Sequence, residues 1–98
     1  MPTDTEFHKK KNGNGFCAWH NGRKIGEINI VQIGSDRLII ESTNMDSDYA
    51  DQDLCMHLVK CVAQFARTHN RKVIIMCPRA QNIFNRYPEF DDVRLIRN

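Results

Sequence analysis

The stretch Asp46-Ser-Asp-Tyr-Ala-Asp-Gln-Asp53 divides the chain into halves with different hydrophobic periods. Before it, apolar and polar residues alternate, as they do on half-buried strands; after it, apolar residues return every three or four positions, as they do on a helix. A chain ordered in this way builds a sheet first and then covers it. Phe16 to His20 reads as a strand, and Asn21-Gly22 as a tight hairpin turn. Lys24 to Ile33 follows with Ile25, Glu27, Asn29 and Val31 on one face and Gly26, Ile28, Ile30 and Gln32 on the other. Gly34-Ser35-Asp36 makes the next turn and Arg37 to Ser42 the third strand of a meander.

Past the acidic stretch, Leu54, Leu58, Cys61, Val62, Phe65, Ala66 and His69 fall on one helical face, with His57, Lys60, Gln64, Arg67 and Thr68 on the other. The helix ends at Asn70, a residue that tolerates the left-handed cap conformation. Lys72 to Cys77 is a short β-branched run of the kind found in strands buried on both faces. Pro78 suits the first turn of a second helix through Ile83 and Phe84, which Tyr87-Pro88 stops. Val93 to Ile96 adds a final strand. The predicted order is β-β-β-α-β-α-β in a single α/β (α+β) domain over residues 1–98, mostly antiparallel, with residues 1–14 a loose arm or a first strand plus loop.

Composition narrows the function classes. With 98 residues, one domain with a thin core is all that fits, and 41% hydrophobic content excludes a disordered chain. The longest apolar run, Val73 to Cys77, is too short to cross a membrane. The first residues lack an apolar signal core, which predicts a cytoplasmic protein. Cys17, Cys55, Cys61 and Cys77 each sit in an apolar run without Cys-x-x-Cys spacing, so they read as reduced thiols. His57 and Cys61 share a helix face, but two ligands do not make a tetrahedral site, so no metal is expected. Lys9, Lys10 and Lys11 lack interleaved aromatics, and a net charge of +2 makes nucleic acid an improbable partner. The charge is unevenly spread: Glu41, Asp46, Asp48, Asp51 and Asp53 precede Leu54 with no basic residue among them. Lys60, Arg67, Arg71, Lys72, Arg79 and Arg86 then follow with no acidic one before Glu89.

The order of elements resembles the core of the GNAT acetyltransferases, and more narrowly the small Yjdj-type proteins. The resemblance runs from about Glu6 to Val93. It is most specific in Lys72-Val-Ile-Ile-Met-Cys77-Pro-Arg-Ala-Gln-Asn-Ile-Phe84-Asn-Arg86-Tyr-Pro88-Glu-Phe90, with Gly26-Glu27-Ile28 resembling the family's second strand. The resemblance implies an N-acetyltransferase that binds acetyl-CoA or CoA and passes acetyl to a small amine or a protein amine. It implies that Ser42 to Met45, hence Thr43, Asn44 and Met45, pair with the pantetheine arm. The helix start at Ala50-Asp-Gln52-Asp53-Leu54-Cys55 would then meet the pyrophosphate, since helix N-termini favour anions. Arg79 becomes a candidate for the adenosine 3′-phosphate, with Arg86 read as a solvated helix residue. Cys77 would lie where the thioester lies, as an acyl acceptor or as an acid to the leaving thiol; the other reading is a buried Cys closing a strand. His20 or His57 could approach it, and Tyr49 is a weaker candidate acid.

The sequence departs from the family's (Gln/Arg)-x-x-Gly-x-(Gly/Ala) loop. Ala50, Asp53 and Cys55 stand at those positions, and Ser42-Thr43 replaces the family's His-Thr pair. Unit charges ~4 Å apart interact by about 4 kcal/mol at an effective dielectric of 20, so Asp51 and Asp53 oppose a bound pyrophosphate and predict weak cofactor binding. The same aspartates would cap the helix well without any ligand. The alternative to a working transferase is therefore a weak or inactive GNAT-fold interaction module, a monomer or weak dimer in either case.

Overall fold

The computed structural model describes residues 4–49 and 52–95. It contains strands β1 (Glu6–Lys9), β2 (Gly15–His20), β3 (Arg23–Ile33), β4 (Arg37–Met45) and β5 (Lys72–Ile75), and helices α1 (Gln52–Thr68) and α2 (Pro78–Arg86). Single 3-10 turns lie at Ser47–Tyr49 and Pro88–Phe90. The strands form one sheet in the order β1-β2-β3-β4-β5. All pairs are antiparallel except β4 and β5, whose parallel pairing needs the crossover that α1 supplies.

Local chemistry explains the turns. Asn21 and Gly22 both have positive φ, 52° and 74°, the conformation that joins two antiparallel strands in a two-residue hairpin. Asn70 ends α1 at φ 54°, as its position in the sequence predicts. Gly15 is required for a different reason. Its φ is +142°, and a Cβ there would lie 1.9 Å from the Ile28 carbonyl oxygen. Only glycine lets β2 approach β3 at this point.

Both helices pack on one face of the sheet and touch each other. The core between them is apolar: Ala18, Ile28, Ile30, Leu38 and Ile40 meet Leu54, Leu58, Val62 and Ala66 of α1, with Ile83, Phe84 and Phe90 closing the end. No buried residue among those described is polar or charged. At about 25 cal/mol per Å2 such burial is the main stabilising term in a domain of this size.

The order observed is β-β-β-β-α-β-α, which corrects the predicted order at its end and, of the two readings of residues 1–14, has the first strand plus loop. Residues 6–9 are a strand, because Phe7 and Phe16 bring apolar groups to the helix face as β1 pairs with β2. The predicted last strand is a single bridge, Val73 to Arg94; Ile96 lies outside the described residues. The third meander strand runs three residues beyond Ser42, to Met45. The strand at Lys72–Ile75 is not buried on both faces: Val73 is covered, Ile74 and Ile75 are half-buried, and Met76 just beyond is 66% exposed. With both helices on one side, the other face of β5 has no cover. His69, assigned to the buried helix face, is exposed and stacks on Phe65 at 4.2 Å.

The imperfect alternation of β3 has a structural cause. A bulge between Ala18 and Trp19 leaves Ile25 as an extra residue opposite β2, so Ile25 and Gly26 are both buried. Substituting Gly15→Ala should lower the unfolding free energy by well over 1 kcal/mol in urea titration, through strain at its positive φ and the Ile28 clash. An unchanged midpoint would show that β2 can shift to accept a methyl group.

Candidate functional site

The site begins where the parallel pair ends. β4 and β5 are in register from Arg37↔Lys72 to Ile40↔Ile75, and the Met76 N–H donates to the Ile40 carbonyl at 3.0 Å. On its other edge β4 pairs with β3, first Ile30↔Ile40 and then Asn29↔Ser42, so Glu41 is an extra residue in a bulge. Beyond the bulge, Ser42 to Met45 pair only with β3. β5 meanwhile stops at Ile75, and the chain turns through Cys77 into α2. Two neighbouring strands thus part, leaving one edge of Ser42–Met45 without a strand partner among the described residues.

Thr43 and Cys77 face each other across the base of this opening, Oγ1 to Sγ 3.4 Å. Cys77 is the N-cap residue of α2, with Pro78 at the first helical position. It is 7% exposed. Burial pushes its thiol up, but the Thr43 hydroxyl and the amides of Ala80, Arg79 and Thr43 outweigh burial, and the net shift is downward. The side chain makes no capping hydrogen bond of ordinary geometry, so the amides act on the sulfur as oriented dipoles. Cys55, 1% exposed in the first turn of α1, behaves in the opposite way. Burial pushes it up to about 11, against the pull of the Arg79 cation, and the nearby Cys77 adds to the rise. The two neighbouring thiols are thus shifted in opposite directions.

The other expected residues are distributed as follows. Met45 is half-buried and packs on the core, beside Gly26. Asn44 points to the uncovered face, where its amide donates to Glu27 Oε2 at 3.2 Å. Leu54 is 1% exposed, and a Cβ on Gly26 would lie 3.1 Å from its Cδ2, so Gly26 sets how closely α1 starts against β3. The side chains of Leu54 and Cys55 therefore belong to the core. Asp53 is exposed in the first turn, and Arg79 is exposed at the start of α2 with no ion pair among the described residues. Ala50 and Asp51 lie outside the described residues, as does the Gln52 side chain. Neither candidate histidine faces the thiol: His20 Nδ1 lies 2.7 Å from Asp4 and its ring is 6.0 Å from Tyr49, while His57 packs on Phe7. All four cysteines are free, and no group of His, Cys, Asp or Glu among the described residues could hold a metal ion.

Part of the acidic stretch has structural work. Asp46 pairs with Arg23 and accepts from the Asp48 amide at 3.0 Å, which closes the turn after β4. Glu27, which the sequence offered only as part of a strand motif, is the centre of a polar network on the uncovered face. It accepts from Lys24 at 2.6 Å, from Asn29 at 3.1 Å and from Asn44, with Lys10 at 3.4 Å. The signal was the placement of Glu27 and Asn29 on one face of β3. A cavity of about 280 Å3 opens beside it, lined by Gly26, Glu27, Asn44 and Met45 among others.

An antiparallel meander, a crossover helix and a parallel strand that parts from its neighbour at a bulge define an acetyltransferase-type α+β fold. The sequence pattern of GCN5-related N-acetyltransferases matches residues 15–93. This chain belongs to that family. In three dimensions it is similar to the solution structure of a GCN5-like protein from Staphylococcus aureus assigned to the N-acetyltransferases. The TM-score is 0.75 at 21% identity, over 99% of this chain and 94% of that one. It is also similar to a ribosomal-protein-alanine N-acetyltransferase from Brucella melitensis, with a TM-score of 0.64 and 12% identity. That match covers 86% of this chain and 62% of the longer Brucella one. No curated protein matches the sequence. No helix among the described residues is long and apolar enough to cross a membrane.

The Glu27 network has a pH signature. Hydrogen bonding from Lys24 first, then from Asn29 and Asn44 with the Lys10 charge, holds its carboxyl at about 2 instead of 4.5 against the opposing effect of burial. A carboxyl depressed on folding adds stability that is complete above 4.5 and is lost as pH falls toward 2. Unfolding free energies measured across that interval should fall more steeply for the wild-type chain than for Glu27→Gln, by on the order of 2–3 kcal/mol. Parallel curves would show that the carboxylate is not coupled to folding.

Proposed function

We propose that the chain binds a CoA-type acyl donor in the opening between β4 and β5 and transfers acetyl to an amine of a small molecule or protein. The observation that carries this reading is the parting of the strands beyond Ile40, with Thr43 and Cys77 facing across it. The Cys77-Pro78-Arg79 run supports grouping it with the small Yjdj-type members.

The residues present fit the two ends of such a donor unequally. The arm end fits: the free edge of Ser42–Met45 offers backbone donors and acceptors to the amides of a pantetheine chain, as a missing strand would. The pyrophosphate end fits poorly. The last glycine in the sequence is Gly34, so no glycine opens α1, and Asp53 adds a negative charge in its first turn. Backbone amides of the first turn and the Arg79 guanidinium are what remains for phosphate. When bound, the donor supplies an activated thioester carbonyl. The chain's own part is to align the arm along β4, to exclude water with Leu54 and Met45, and to hold a proton at Cys77 Sγ that Thr43 and the α2 amides make easier to release. The acceptor then enters from the uncovered face, since no element of the described structure closes it.

Asp53→Gly should tighten acetyl-CoA binding in calorimetric titration by about tenfold or more, because a charge is removed and the backbone can approach the phosphates. Cys77→Ala should keep that affinity within about threefold and slow acetylation of polyamines or lysine peptides by about a hundredfold, the usual scale of a lost proton-transfer group. Equal or weaker binding in the Asp53 variant would show that α1 does not face the phosphates. Binding without transfer by the wild-type chain would favour an interaction module over an enzyme.

A further inference from the structure

On the sheet face opposite the helices lies a trough of about 470 Å3 between the β1–β2 loop and the start of β3. Half-buried Trp19 and Cys17 of β2 line it, with exposed Lys11 from the loop, Lys24 from β3, and Lys10. The sequence showed three consecutive lysines without an aromatic. Antiparallel pairing supplies one, because Glu6↔Trp19 and His8↔Cys17 bring β2's outward residues alongside β1 just before the lysines. Lys10 and Lys24 both approach Glu27 Oε1, at 3.4 and 2.6 Å, so one carboxylate serves two ammonium groups. Lys11 has no ion pair among the described residues, while Lys9, also in the lining, sends its ammonium over the Phe65 ring at 4.7 Å. The trough therefore keeps an excess of positive charge over a half-buried indole.

We propose that this trough binds a nucleotide, its phosphate on Lys11 with Lys10 and Lys24, and its base against Trp19. A carboxylate-rich peptide would use the lysines but gain nothing from the indole, whereas a nucleobase stacks on it and its phosphate meets the cations. A duplex hides its base faces, so the ligand is a free nucleotide or a single strand. The site is separate from the opening between β4 and β5, whose Thr43 and Cys77 lie on the helix side of the sheet.

Trp19 is the only tryptophan, so its fluorescence reports on the trough alone. Titration of the full chain with AMP should quench it saturably, with affinity that falls as salt is raised. Ribose 5-phosphate, which lacks the base, should bind at least about tenfold more weakly and without quenching. Lys11→Glu should weaken AMP binding by about tenfold while leaving the thermal midpoint and the binding of acetylpantetheine, which carries no nucleotide, unchanged, so this site and the donor site can fail separately. A single-stranded oligothymidylate that binds more tightly than AMP per nucleotide assigns the site to a strand; equal or weaker binding assigns it to the free nucleotide. Absence of quenching at millimolar AMP, equal affinity in Lys11→Glu, or tighter binding of polyglutamate would overturn the proposal.

Discussion

The bulge at Glu41 governs what this small domain can do. A parallel strand pair ordinarily runs until one strand ends, and its hydrogen bonds leave no room for anything between. Here β4 gains one residue against β3, so its direction changes while β5 ends at Ile75 and gives way to α2. Everything assigned to the site depends on that divergence: the unpaired edge of Ser42–Met45, the meeting of Thr43 with Cys77, and the helix N-terminus behind the thiol. The apolar core serves it by fixing the two helices on one face. Gly26 does so directly, because a Cβ there would lie 3.1 Å from Leu54 Cδ2, so that the leucine would have to give way by a few tenths of an ångström.

Electrostatics and geometry pull in opposite directions at the two ends of the opening. At the thiol end, Thr43 and the amides of α2 favour the ionised form of Cys77, while burial keeps Cys55 protonated. At the other end, Asp53 stabilises the start of α1 by complementing the helix dipole, and the same charge opposes a phosphate. Asp46 is already committed to Arg23 and the turn. Its structural use accounts for part of the acidic stretch without reference to any ligand. Within the acetyltransferase family this chain thus combines a parted β4–β5 edge with a helix α1 that no glycine opens.

Much of the fold was legible because its signals were local. The change of period at residues 46–53, Asn21-Gly22, Asn70 and Pro78 each fix a turn or boundary through the chemistry of one or two residues. What escaped depended on pairing. β1 carries few apolar residues, which left residues 1–14 open between an arm and a first strand until the pairing with β2 decided it. The run from Lys72 looked doubly buried because β-branched composition does not say how many faces are covered, and here only one is. In the site, the position of Cys77 at the strand end was legible, as was the departure from a glycine loop. The contact with Thr43, the outward turn of Asn44 and the network around Glu27 were not, since each joins residues far apart in sequence. The bulge at Glu41 left no mark in composition at all.

In the proposed complex the acyl arm of a CoA-type donor lies along β4 with its thioester beside Thr43 and Cys77. Intermolecular nuclear Overhauser effects between acetyl-CoA carrying a 13C-labelled acetyl group and the protein test it most directly. Contacts are expected from the acetyl methyl to the Thr43 methyl and the Cys77 methylene, and from the pantetheine methylenes to Met45. Saturable binding whose contacts map instead to Trp19 and the lysines, or to the edge of β5, would contradict it.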